Sequence, residues 1–207
     1  MSNGVRKSTV SIVQIALAAA TLSAAKFALM WLPNIEVVTL LCAVYGFTLG
    51  WKGIAASGVF AAIETLIWGF GSWVITYFIH WPLVAFSFCI LSRFIKPSRI
   101  IPTVAAFVLT VEFSVLSALV DVGLTSGYFY NFGERFVIYF LRGTWFYVAQ
   151  IACNLVLFPL LFKPLTALIT RFTKNRTSKS TPRKNNNRFD PYSYEKNRAA
   201  QARFFIG

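Results

Sequence analysis

Three carboxylates stand where a chain seldom leaves them. Glu64, Glu112 and Asp121 each lie inside long runs of apolar residues. A charged acid held at the centre of a lipid bilayer costs about 3 kcal/mol, so it faces a cavity or finds a partner. Further along, Arg142, Trp145, Gln150 and Asn154 fall within YFLRGTWFYVAQIACN and are read as roughly one polar and aromatic helix face. A face of that kind can hold a small polar ligand through a few hydrogen bonds and ring contacts. The competing expectation is internal pairing, for instance of Arg142 with Glu112 or Asp121. Two loops add polar candidates: Asn34 and Glu36 after Pro33, and Tyr128 and Asn131 within TSGYFYNFGER.

No catalytic constellation accompanies these residues. The sequence has no GxxxxGK[ST] phosphate loop, no HExxH and no GxSxG. His80, the only histidine, stands beside Trp81 and Pro82 at the edge of an apolar run and is expected to be an interface residue, not a ligand. Cys42, Cys89 and Cys153 are far apart within apolar runs and behave as small hydrophobes. No disulfide framework, metal site or cofactor is expected, and an enzyme is disfavoured. The two halves show no inverted repeat of the kind that builds a self-sufficient secondary transporter.

The elements that must carry these residues are set by composition. Of 207 residues 57% are hydrophobic and only 13% charged, with 21 Phe, 8 Tyr and 6 Trp. A soluble domain has about 45–50% apolar and about 25% charged residues, so this chain has too little polar surface to cover a core in water. The expected fold is an all-α integral membrane protein. Six apolar spans emerge at about residues 9–30, 35–50, 54–71, 73–94, 100–124 and 136–162, the last continuing to 169. A kink is expected at Pro82. With the N-terminus inside, Arg6, Lys7, Lys52, Arg93, Lys96, Arg99 and the basic tail share one side. The opposite loops hold Glu36, Glu134 and a single basic residue, Arg135. The positive-inside rule thus predicts both termini in the cytoplasm.

The net charge of +13 is concentrated at one end. From Lys163 onward eleven basic residues face two acids, Asp190 and Glu195, which leaves +9 there. The organisation expected is a short cytoplasmic segment 1–8, a transmembrane domain 9–170 and a basic, largely disordered tail 171–207. The tail is expected to meet anionic headgroups, at about 1 kcal/mol per basic residue, and no nucleic acid.

Ala16, Ala20, Ala24 and Ala28 recur every fourth residue on one stripe of the first span. Such a stripe lets another helix approach closely, either in the same bundle or from a partner. It leads into WLPNIEVVTLL at residues 31–41, then Tyr45-Gly46, Gly50 and Lys52-Gly53. Asn154, Pro159, Lys163-Pro164-Leu165 and Leu168 close the last span. Over residues 10–170 this pattern resembles the substrate-binding S components of energy-coupling factor (ECF) vitamin transporters. The resemblance implies a six-helix bundle in a prokaryotic cell membrane that binds a vitamin or related micronutrient from outside. It implies a transmembrane coupling subunit and two ATPase subunits in trans, docked through Ala16 and Ala20, with Ala24 next on the stripe. It places the ligand among the outer loops and the last three helices. No thiamine-, biotin- or riboflavin-type signature stands out. Two other readings stay open: a membrane scaffold recruiting partners through the stripe and tail, and a lipid-active enzyme using Glu64 or Asp121.

Overall fold

A computed structural model describes residues 3–31, 37–125 and 129–180. Six helices account for them: α1 (Asn3–Ala28), α2 (Val38–Leu49), α3 (Trp51–Trp68), α4 (Ser72–Phe94), α5 (Ile100–Leu119) and α6 (Phe132–Ser180). A π-helical turn, Val120–Thr125, follows α5 directly. No strand occurs among the described residues. Among the described residues four segments are long and apolar enough to cross a membrane: Ser8–Ala28, Ser72–Phe94, Ile100–Leu124 and Phe132–Thr173.

The six expected spans are therefore not all alike. The second is a helix of 12 residues, about 18 Å at 1.5 Å per residue, against about 30 Å of hydrocarbon. The third has 18 residues but carries Lys52 and Glu64, which dilute its apolar character. The last helix overruns its expected bounds at both ends, since it starts at Phe132 inside the expected loop and continues to Ser180. Its apolar part alone, 42 residues, is about 63 Å long. Pro82 lies inside α4 without ending it. The chain divides into two units, Met1–Arg171 and Phe172–Gly207, and the packed bundle lies within the first.

α4 packs against α2, α3 and α5, while α1 packs against α3 and α2. Small residues make these contacts possible. Gly50, at φ +62°, reverses the chain between α2 and α3. That turn lays Gly53 of α3 against the backbone of Tyr45 and Gly46, and Gly46 in turn lies against the Ala85 backbone of α4. A Cβ at either glycine would overlap main-chain atoms. Close backbone approach is the main source of helix association where lipid is as apolar as the helix surface. Below this crossing Phe88 meets Phe158 and Phe162 with ring centroids 5.8 and 5.5 Å apart, and Phe47 meets Phe162 at 5.4 Å. These rings, with Phe60, Trp81 and Leu40, are fully buried apart from Phe47.

Polar side chains in the bundle are mostly closed onto the backbone. Ser57, Thr65, Thr110 and Ser114 each donate to a carbonyl three or four residues back, so their hydroxyls need no water. Thr21 and Tyr45 join α1 to α2 by a 2.5 Å hydrogen bond, and Lys52 Nζ donates to Gln14 Oε1 at 2.7 Å between α3 and α1.

The close crossing generates a paired expectation. Gly46→Val should cost at least about 3 kcal/mol, through overpacking against immovable backbone. Gly58, also in α3 but with open space where a Cβ would stand, should accept alanine with no loss, or a gain of up to about 1 kcal/mol. Thermal unfolding in detergent, followed by helical circular dichroism, compares the two. Equal melting temperatures for the two variants would refute the role given to Gly46.

Candidate functional site

One group of buried polar side chains gathers where α1 and α3 finish and α4 begins. Three helices meet there through charge. Lys26 Nζ on α1 donates to Glu64 Oε2 on α3 at 2.5 Å and to the Tyr77 hydroxyl on α4 at 3.3 Å. Glu64 is wholly buried, whereas the Lys26 side chain keeps 29% of its surface. The ammonium also lies 4.8 Å from the Tyr77 ring centre and 6.0 Å from that of Phe60, within reach of cation–π attraction. An apolar interior tolerates a carboxylate only with such a partner. Even so, Glu64 Oε1 is buried and has no hydrogen-bond partner among the described residues.

Trp81 sits beside this pair and connects it to a second one. Its ring is fully buried and contacts Phe60 at 6.1 Å, Tyr77 at 5.4 Å, His80 at 4.8 Å and Phe113 at 6.1 Å. Its indole N–H, Nε1, has no acceptor among the described residues. On the preceding residue His80 Nδ1 shares a 2.7 Å hydrogen bond with Glu112 Oε2 of α5. His80 is 1% exposed, against 29% for the Glu112 side chain. Trp81 and His80 thus place neighbouring polar atoms on the α3 and α5 sides of α4.

A third group joins α5 to α6. Asn154 Nδ2 donates to Thr110 Oγ1 at 2.9 Å, and the Asn154 Oδ1 atom is buried without a donor among the described residues. Gln150, one turn earlier, is buried on the same side. Nearer the start of α6 the Tyr139 hydroxyl donates to Asp121 in the π-helical turn, in a very short contact.

The residues singled out from sequence are divided by this arrangement. Glu64, Gln150 and Asn154 enter the bundle, and Asp121 is half-buried. Arg142 and Trp145 do not join them: both are exposed, Trp145 at 79%. The reason is angular. At about 100° per residue Trp145 and Asn154 stand roughly 180° apart around α6, so the four residues do not form one face. The expected pairing of Arg142 is not realised either, because Glu112 takes His80 and Asp121 takes Tyr139. Asn131 is exposed, at φ +45°, ahead of α6. Asn34, Glu36 and Tyr128 lie outside the described residues. Lys26, Tyr77, Trp81 and Thr110 were not foreseen, and His80 is a buried hydrogen-bonding group within α4 where an interface residue at the edge of a span was expected. A usable signal existed for Lys26: it is a charge near the end of an apolar span, at the same end as Glu64.

The alanine stripe faces outward. Ala16, Ala20, Ala24 and Ala28 are all exposed, while Ala18, Ala19, Leu22 and Ser23 turn into the bundle. Packing of the stripe inside its own bundle is set aside by this placement.

Lys26 and Glu64 should behave as a unit. Lys26→Met leaves Glu64 buried and unpaired and should cost about 3–5 kcal/mol, whereas Lys26→Met with Glu64→Gln should recover most of that loss. A double-mutant cycle on detergent melting measures the coupling, and additive single losses would show that the pair is not coupled. Among known proteins, no family model matches this chain, and neither does any characterised protein or solved structure.

Proposed function

We propose that this chain is the membrane-embedded solute-binding subunit of an ATP-driven importer of the ECF type. The observation that carries the reading is that three buried polar atoms, Glu64 Oε1, Trp81 Nε1 and Asn154 Oδ1, have no hydrogen-bond partner among the described residues. Burying such an atom unpaired costs about 1–3 kcal/mol. A bundle that served only as a scaffold would do better with apolar side chains at these places. A bound solute that supplies the missing donors and acceptors converts that cost into affinity and specificity.

Two further features support the reading. The chain has no phosphate-binding loop, so accumulation against a gradient needs ATPase subunits in trans. The outward stripe at Ala16, Ala20 and Ala24 offers a flat, lipid-facing surface on which a coupling subunit's helix can lie closely. In this reading both termini are cytoplasmic, the Lys26–Glu64 end of the bundle faces outward, and the basic tail lies along anionic headgroups. The solute is a vitamin or a related micronutrient.

The test has two parts. Mass spectrometry of small molecules and proteins recovered with the full chain from its native membrane, in mild detergent, should find a stoichiometric solute, or a coupling subunit with ATPases, or both. Recovery of neither would refute the reading. Ala16→Trp with Ala20→Trp should abolish uptake and copurification of the coupling subunit while solute affinity stays within about twofold of the parent, since a bulky pair on the stripe blocks helix approach without reaching the bundle interior. Unimpaired uptake by this variant would remove the stripe as the docking face.

A further inference from the structure

Three cations at one end of the bundle meet no opposite charge. Arg93 lies in the last turn of α4, Lys96 in the connection that follows and Arg99 just before α5, and all three are exposed. None has an ion-pair partner among the described residues. Glu112, the acid nearest along the chain, stands about 18 Å along α5 from Ile100 and is taken by His80. Glu64 lies toward the other end of α3, with Lys26. Large apolar side chains flank the same cations. Phe94 is 79% and Ile100 75% exposed, one on each side of the connection. Trp51, exposed at the start of α3, belongs to this end too: a Cβ at the adjoining Gly50 would stand 3.8 Å from Cys89 Sγ, one turn before Arg93.

The place of this cluster follows from the spans. Ser72–Phe94 and Ile100–Leu124 are each long and apolar enough to cross a membrane, so the five residues between them lie at a membrane surface. There the two kinds of side chain fit one occupant. A free phosphate or a soluble acidic protein would use the cations and leave Phe94 and Ile100 without a role. A phospholipid with an anionic headgroup uses both: its phosphate accepts from guanidinium and ammonium groups, and its glycerol and first acyl carbons cover the apolar side chains, as aromatic residues at headgroup level commonly are. We infer that the α4–α5 connection, with Arg93, Lys96 and Arg99 around the phosphate and Phe94 and Ile100 against the chains, is a binding surface for an anionic phospholipid. It is separate from the basic tail, because α4 and α5 hold its charges in place. It rests on the membrane spans alone and is independent of the solute-binding reading.

The test uses the full chain in neutral detergent, stripped of lipid and titrated with phosphatidylglycerol, phosphatidylcholine or glycerol 3-phosphate. Native mass spectrometry counts the adducts, and thermal unfolding reads their effect on the fold. Phosphatidylglycerol should bind about tenfold more tightly than phosphatidylcholine, and added salt should shrink that preference. Arg93→Gln with Lys96→Gln and Arg99→Gln should bring the two lipids to within about twofold of each other. Arg93→Lys with Arg99→Lys keeps the charge and should keep the preference, which separates lost attraction from a damaged fold. Neutralising Lys174, Arg176 and Lys179 beyond the bundle should leave the preference in place. Equal binding of the two lipids by the parent chain would overturn the inference. So would glycerol 3-phosphate binding as tightly as phosphatidylglycerol, or a preference that disappears with the three tail charges and not with those of the connection. If the triple glutamine variant keeps its lipid preference but no longer copurifies an acidic protein from its native membrane, the surface belongs to that protein and the inference also falls.

Discussion

Glu64 is the constraint around which this end of the bundle is organised. A carboxylate with no exposed surface, in a helix among apolar helices, admits few arrangements: it must be protonated or paired, and its remaining lone pairs must be met. The chain meets the first demand by bringing Lys26 from α1 to within 2.5 Å. That requires α1 and α3 to lie side by side with their ends level, and it draws Tyr77 of α4 under the same ammonium. Trp81, one turn on from Tyr77, then becomes the hub of the aromatic cluster, and His80 is turned toward Glu112. The other fixed point is the glycine crossing of α2, α3 and α4, which sets how near the helices approach. Between these two points α3 and α4 are tied to each other through α1 by polar contacts and through α2 by close backbone packing.

How much of this was legible in the sequence depends on what each signal measures. Apolar run length is a one-dimensional property, so the helical class and the four long spans were visible. Residues 35–50 read as a span because apolar count does not see Val37, whose N-cap position starts α2 only at Val38. Intramembrane charge was visible as a problem, and Glu64, Glu112 and Asp121 were the right residues to question. Their partners were not visible, because Lys26–Glu64, His80–Glu112 and Tyr139–Asp121 join residues on different elements. Along α6 the reading of one polar face failed for a simpler reason. Residue types were matched without the 100° step, which sends Trp145 to the surface and Asn154 inward. The alanine stripe shows the converse case: its four-residue period placed all four on one side correctly, but which side faced the bundle was decided by Leu22 and Ser23, not by the alanines.

α1 is two-faced in a way that bears on how binding and docking could be joined. Its outward side is the alanine stripe, and its inward side ends in Lys26, which touches Glu64, Phe60 and Tyr77. Ala24 and Ala28 bracket Lys26 along the same helix, within one turn of it on either side. On the proposed reading, a coupling subunit pressed on the stripe and a solute held at Glu64 act on one rigid element from opposite faces. Coupling between two such sites is reciprocal: whatever docking does to solute affinity, the solute does to docking. On that reading no long pathway through the bundle is needed, because the helix that receives the partner also carries Lys26, the ion-pair partner of Glu64. A shift of α1 by a fraction of a turn would move Lys26 relative to Glu64 and change the charge seen by the solute, while the glycine crossing of α2, α3 and α4, to which α1 does not contribute, would hold the rest of the site in place.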